Sequence, residues 1–317
     1  MKSKGLFLLL SAAMAAIGFA NCTKTNVPSG TVTPSSTITA IIKAGTNTTL
    51  FESALTRTGL DSIFSGTGPF TVFVVTDNSL IASGITDSVI QNYPDSALRN
   101  LVLYQTIGAR LVSASLPSGP NAKIISANGD SVFVTVDSSG IFINGVQATT
   151  VDVIAGNGVI HVISKLLIPP SGNILQSVQA DTSLSMLAAA MTLVSQHDSL
   201  NVDSLLSVGG PYTLFAPVNA AFRAAGYFSP GDLANVNADS LTNIIAYHIV
   251  PGRLFSPAFF GTPTPVTLND SIFTISSLGN NVFSVTGIQN STPANTISIN
   301  VMASNGIIHR IDQVLLP

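Results

Sequence analysis

Asn157-Gly158-Val159-Ile160-His161-Val162-Ile163, followed by Leu166-Leu167-Ile168-Pro169, returns later in the chain as Asn305-Gly306-Ile307-Ile308-His309-Arg310-Ile311, followed by Val314-Leu315-Leu316-Pro317. The interval from the glycine to the final proline is the same in both copies. Asn-Gly is a strong tight-turn signal, and the β-branched residues behind it favour an extended strand, so each copy reads as a turn feeding a strand. The period of two puts Val159, His161 and Ile163 on one face of that strand and Ile160 and Val162 on the other. Two such endings in one chain mark a tandem repeat.

Working back from these endings, the other segments also pair off. Gly68-Pro69-Phe70-Thr71-Val72-Phe73-Val74-Val75 corresponds to Gly210-Pro211-Tyr212-Thr213-Leu214-Phe215-Ala216-Pro217, and both read as strands. Ahead of each lie apolar residues at helical spacing, Ile38 to Leu55 in one copy and Ile174 to Ala190 in the other. Leu98 to Gln105 matches Leu241 to His248, two amphipathic helices entered through Asp95-Ser96 and Asp239-Ser240, which are good capping pairs. Between Arg253 and Gly306 the second copy is five residues longer than the first is between Arg110 and Gly158, and an insertion between fixed anchors belongs in a hairpin loop. The organisation expected is a segment 1–21, a segment 22–36, a first domain over 37–170 and a second over 171–317.

The order Thr-x-Phe-Ala-Pro-x-Asn-x-Ala-Phe, then Tyr-His, then Asn-Gly-x-Ile-His-x-Ile with a terminal Leu-Leu-Pro resembles the fasciclin (FAS1) domain. The second copy matches throughout, at Thr213, Phe215, Ala216, Pro217, Asn219, Ala221 and Phe222, at Tyr247-His248, and from Asn305 through Gly306 and His309 to Pro317. The first keeps Thr71, Phe73, Tyr104, Asn157, Gly158 and His161, but has Asp77 and Leu80 in place of the family's Asn and Phe, and Gln105 in place of its His. The resemblance implies an α+β fold, with each copy a β-sandwich or wedge carrying several α-helices. It also implies adhesion or partner binding without catalysis, and a candidate binding neighbourhood at Asn219, Tyr247 and His248 in the copy with complete motifs. The first copy would then serve as a spacer.

Composition narrows the partners. Charged residues make up 9% of the 317, against about 25% in typical domains. With a net charge of −3, nothing in the sequence forms the basic footprint of a nucleic-acid binder. Each copy is long enough to bury a core of its own without metals or disulfides. Met1-Lys2-Ser3-Lys4 and the apolar run to Ala20 read as a signal peptide, too short for a confident membrane span. The single cysteine, Cys22, follows at once, and Phe19-Ala20-Asn21-Cys22 resembles a bacterial lipobox, although Phe19 and Asn21 depart from its usual residues. The resemblance implies diacylation of Cys22 and a lipid anchor in the cell envelope, in the outer membrane on either its periplasmic or its surface face. Thr23 to Ser36 is polar, with two prolines, and reads as an extended tether.

Chemistry is hard to find in the sequence. The four histidines, His161, His197, His248 and His309, show neither metal-ligand spacing nor a nucleophile–base pattern, so no catalytic residue, metal or cofactor is expected. His161 and His309 hold equivalent repeat positions and are expected to hydrogen-bond backbone; His197 reads as a loop residue. Asp-Ser followed by an apolar residue recurs, as at Asp61-Ser62, Asp87-Ser88 and Asp203-Ser204, and resembles sites of bacterial O-glycosylation, although Asp and Ser are also good helix caps. Two functions fit: an adhesion lipoprotein whose fasciclin modules bind a protein or glycan, or an accessory glycan-capture lipoprotein of a polysaccharide uptake system. The absence of Trp and the presence of only five Tyr weaken the second.

Overall fold

The computed structural model describes residues 36–197, 200–260, 263–279 and 282–317. The signal-peptide reading of 1–21, Cys22 and the tether up to residue 35 lie outside the described residues. The described residues lie in one compact unit that holds both repeats. Among the described residues no helix is long and apolar enough to cross a membrane.

The first repeat runs α1 (Ile38–Ala44), α2 (Thr49–Thr58), α3 (Leu60–Phe64), β1 (Phe70–Val75), α4 (Asp77–Ala82), α5 (Asp87–Asn92), α6 (Asp95–Tyr104), β2 (Thr106–Ile107), β3 (Gly119–Ile125), β4 (Ser131–Asp137), β5 (Gly140–Ile143), β6 (Val146–Ala155) and β7 (Gly158–Ile163). The second runs α7 (Ile174–Ala180), α8 (Ser185–His197), α9 (Val202–Val208), β8 (Tyr212–Pro217), α10 (Asn219–Ala224), α11 (Pro230–Ala234), α12 (Ala238–Tyr247), β9 (Ile249–Pro251), β10 (Thr274–Gly279), β11 (Val282–Thr286), β12 (Ala294–Ala303) and β13 (Gly306–Ile311). His197 thus closes α8 and does not sit in a loop. The Asp-Ser pairs at residues 61, 87, 95, 203 and 239 all fall in α-helices, and each of these aspartates lies in the first turn, where a carboxylate complements the helix dipole.

Each repeat is a curled mixed sheet with helices packed on one face, so the chain is α+β. The strand orders are β2-β1-β7-β6-β5-β4-β3 and β10-β11-β12-β13-β8-β9. The long hairpin strands β6 and β12 each carry two bulges, which bend the sheet back on itself. Two apolar layers result in each half. In the first, Val72, Val74 and Ile160 face the helices, while Phe73, Val75 and Ile163 face into the curl. In the second, Leu214 and Ile308 take the helical side and Phe215 and Ile311 the inner side. The central strands are therefore buried on both faces, as parallel neighbours in a covered sheet must be.

The closing strands lie parallel to the first strands, in register from Phe70↔Gly158 to Val75↔Ile163 and from Tyr212↔Gly306 to Ile311↔Pro217. The hairpin turns that precede them are Gly156-Asn157 and Ser304-Asn305, one residue earlier than an Asn-Gly turn would place them. Each glycine is instead the first strand residue, and its role is steric. A Cβ on Gly158 would stand 2.1 Å from the Phe70 carbonyl oxygen, and one on Gly306 2.1 Å from that of Tyr212. The five-residue difference between the repeats falls wholly in one hairpin loop. Asn144-Gly145 joins β5 to β6, whereas residues 287–293 join β11 to β12.

The repeats also touch. Phe133 of β4 packs against Phe255 with ring centroids 6.1 Å apart, and the Arg253 guanidinium lies 4.2 Å above the Phe133 ring. The Asn121 amide donates to the Arg253 carbonyl at 2.6 Å, and Phe142 meets Phe260 edge-on at 5.9 Å.

Gly306→Ala is expected to destabilise the folded protein by about 2–3 kcal/mol or more, because backbone, unlike a flexible side chain, must yield to the methyl. Urea unfolding of the variant beside wild type measures this, and an unchanged midpoint would contradict the close approach.

Candidate functional site

The motif residues form a set of internal fasteners. The side-chain oxygen of Asn157 accepts from the Ile38 amide at 2.9 Å, and its amide donates to the carbonyls of Phe64 and Gly66, both at 2.7 Å. Asn305 repeats this, accepting from the Ile174 amide at 2.8 Å and donating to Leu206 and Gly209 at 2.8 and 2.9 Å. One side chain thus ties the closing hairpin to the first helix and to the last turn before the first strand. Thr71 Oγ1 donates to the Ala109 carbonyl and accepts from Leu111, and Thr213 Oγ1 does the same with Gly252 and Leu254. Pro217 ends β8, where it lies buried, and Phe222 on α10 fills the helix-side core.

His161 and His309 lie inside the curl, 1% and 0% exposed. His161 Nε2 bonds the Leu111 carbonyl at 2.8 Å and its ring stacks on Phe73; His309 Nε2 bonds the Leu254 carbonyl at 2.9 Å and stacks on Phe215. Burial pushes the His309 pKa down to about 4. The other nitrogen of each ring, Nδ1, accepts a backbone amide, that of Asp152 at 3.4 Å for His161 and that of Asn300 at 3.3 Å for His309, so both nitrogens of both rings are engaged by backbone.

A binding surface formed by Asn219, Tyr247 and His248 themselves is not what the structure contains. Tyr247 and His248 are both 0% exposed. The Tyr247 hydroxyl donates to the Ile272 carbonyl at 2.7 Å and accepts from the Ile288 amide at 3.1 Å, and burial raises its pKa. Asn219 accepts from the Met186 amide at 2.9 Å and donates to Thr182 and Ser185, so it caps the start of α8. Each polar atom already has a partner within the fold, and the buried Tyr247 and His248 side chains present no surface of their own.

The first copy keeps these jobs with different residues. Asp77, in place of Asn219, accepts from the Thr49 and Leu50 amides at 3.0 and 2.9 Å and caps α2. His248 holds the Ile244 carbonyl at 2.7 Å through Nδ1 and receives the Leu315 amide at 2.9 Å on Nε2. Gln105 donates to the Leu101 carbonyl at 2.9 Å and receives the Leu167 amide at 3.1 Å. A glutamine amide thus copies a neutral imidazole, so Gln105 is a substitution within the same fastener. Tyr104, the counterpart of Tyr247, donates to the Ser131 carbonyl at 3.0 Å and accepts from Asn144 at 2.9 Å; burial pushes its pKa up to about 12.

A concavity lies elsewhere, at the junction of the repeats. A cleft of about 630 Å³ is walled by residues 144–146, 164–169 and 171 of the first repeat and its exit, and by 296–302, Val282 and Arg310 of the second. Ser177 of α7 closes one side. Arg310 is ion-paired with Asp181, its side chain still 33% exposed. Leu166 to Pro169 and Arg310 belong to the repeated closing motif and Ser177 to the opening helix, but residues 144–146 and 296–302 lie outside the segments that pair off, which is why sequence reasoning passed over the place. Among the described residues no group of three or more His, Cys, Asp and Glu could hold a metal ion.

Comparison with known proteins places this architecture. The family model described as the fasciclin domain matches residues 46–169 and 185–317. The chain belongs to the fasciclin family, as two tandem FAS1 domains. It is 30% identical over 228 residues to the transforming growth factor-beta-induced protein ig-h3 of Oryctolagus cuniculus, an alignment covering 70% of this chain and 30% of that protein. It is 36% identical over 129 residues to Protein sll1483 of Synechocystis, covering 40% of this chain and 66% of that one. Among solved structures, a FAS1 domain pair from the insect cell adhesion molecule Fasciclin I aligns over 85% of this chain and 96% of its own, with 20% identity and a TM-score of 0.40. The chain thus spans under a third of the length of the ig-h3 relative.

Burial also pushes the His248 pKa from 6.5 down to about 4. Between those values the unfolded chain binds more protons than the folded one, so stability falls as pH drops from about 6.5 to about 4 and levels off below. A displacement of that size corresponds to roughly 3 kcal/mol. His248→Gln, which installs the first repeat's solution, is expected to cost less than about 1 kcal/mol at pH 7 and to remove roughly that share of the acid loss. Urea midpoints at pH 7 and pH 4 test it; a variant as acid-sensitive as wild type would refute the assignment.

Proposed function

We propose that this protein is a non-enzymatic cell-envelope lipoprotein, anchored through a diacylated Cys22, whose paired fasciclin domains bind a protein or glycan partner in adhesion. Fasciclin domains are adhesion and binding modules, and the family match accounts for most of the chain. The observation that carries the reading is the fate of the motif residues. In both repeats the Asn, Thr, Tyr and His or Gln side chains are spent on internal hydrogen bonds, which leaves partner recognition to the rest of the surface. The lone Cys22 behind an apolar leader supports the anchor, and two acyl chains hold a protein on a bilayer where one does not. The outer membrane is the proposed address.

Intact-mass analysis of the protein extracted from host membranes is expected to give a mature chain beginning at diacylated Cys22. Cys22→Ala is expected to abolish that species and shift the protein to the soluble or unprocessed pool. A mature N-terminus elsewhere would overturn the anchor, while pull-down and cell-adhesion assays with the extracted protein test the binding half.

A further inference from the structure

We propose that the cleft between the repeats is a docking groove for an extended peptide segment carrying a carboxylate. The inference deepens the partner half of the proposed function and does not depend on the lipid anchor. Its first support is an open strand edge. Among the described residues, β11 pairs with β12 only at Ser284↔Asn295 and Val285↔Ala294, so beyond Thr296 no described strand lies on the side of β12 away from β13. Residues 296–302 of that strand line the cleft. An unpaired edge presents amide and carbonyl groups at the spacing an added strand requires, and peptide recognition by strand addition uses such edges.

The second support is charge complementarity. The lining holds Lys165 and Arg310 and no Asp or Glu, although acids outnumber bases in the chain, 15 to 12. Lys165 is exposed and makes no ion pair among the described residues, while Arg310 is held in place by Asp181 with a third of its side chain open. Ser298 Oγ and Arg310 Nε, on the same wall, are buried and have no hydrogen-bond partner. Polar atoms so placed are uncommon in folded proteins unless something else satisfies them.

The third support is the apolar character of the rim. Ile297 is 56% exposed, Ile168 57% and Val282 40%, giving aliphatic contacts for alternate side chains of a strand. Among the described residues no aromatic ring lines the cleft, so the lining offers none of the flat faces on which sugar rings stack, and a peptide suits it better than a saccharide. The volume falls in the ordinary range for ligand sites, roughly 300–1,000 Å³.

The test uses the full mature protein over immobilised octapeptides of alternating Val with Glu, Gln or Lys, a Val-Glu octapeptide N-methylated at alternate residues, and polygalacturonate as an acidic glycan. The Val-Glu peptide is expected to bind at least about fivefold tighter than Val-Gln, with no binding by Val-Lys and loss of binding on N-methylation. Lys165→Glu, an exposed substitution expected to leave the melting temperature unchanged, should erase the preference for Glu over Gln. Equal binding of the Glu and Gln peptides, indifference to N-methylation, an unaltered Lys165→Glu variant, capture of polygalacturonate but no peptide, or no binding at all would each overturn the proposal. A failure here leaves the Cys22 mass result standing, so the two readings fail separately.

Discussion

Everything in each repeat depends on bringing its last strand parallel alongside its first. Such a strand cannot be reached by a simple hairpin from its parallel partner; it lies between β1 and β6, or between β8 and β12, and is joined by the closing hairpin to β6 or β12. The parallel neighbour approaches so closely that the first position of the closing strand has no room for a side chain. The preceding asparagine then secures the joint, since its amide and carbonyl reach three backbone groups in the first helix and in the turn before the first strand. In sequence terms, the end of each domain is bolted to its beginning. This is why the most recognisable motif of the repeat lies at its close, and why neither residue of the Asn-Gly pair could be exchanged freely.

That joint also explains what the sequence revealed and where it misled. Repetition of a motif reports residues that both copies need, and what both copies need is the fold. Period-two alternation correctly divided Ile160 from His161 and Ile163, because helices cover one face and the curl encloses the other. It could not show that both faces of the sheet are interior, and likewise the helical spacing of Leu241 to His248 could not show that the end of α12 is buried, so Tyr247 and His248, the most family-specific pair, could be read as surface when they are core. Nor could letter matching see that Gln105 and Asp77 discharge the duties of His248 and Asn219. An amide and a neutral imidazole offer the same donor and acceptor to a helix carbonyl and a passing backbone amide, and that equivalence is visible only in hydrogen bonds. The Asn-Gly turn was placed one residue late for a related reason. Glycine signals a positive φ or a close approach alike, and here the close approach governs.

The junction between the repeats was not legible at all. Phe133, Phe255 and Arg253 hold it together, yet only Arg253 has a like counterpart in the other copy, and Arg110 is exposed while Arg253 lies over a ring. Burial pulls the Arg253 pKa down to about 10, which leaves it charged at neutral pH and able to act as a cation over the Phe133 face. Contacts of this kind arise where two copies of one fold meet through different faces, so no internal periodicity can announce them.

The same asymmetry locates the surface on which the two copies are free to differ. In the first repeat, Asn144-Gly145 turns β5 tightly into β6, and Asn144 is drawn in to bond Tyr104. In the second, residues 287–293 widen the corresponding turn, and the Ile288 backbone amide takes over the bond to Tyr247. The fastener survives in both, but the side chain that made it in the first copy is no longer required in the second, and the loop instead folds over the last residues of the chain through Asn290 and Gln289. Where internal bonding is met by backbone, side chains and strand edges are released from structural duty. A fold that binds its own motif residues so completely has to recognise partners with what remains, and what remains is concentrated where its two copies are least alike.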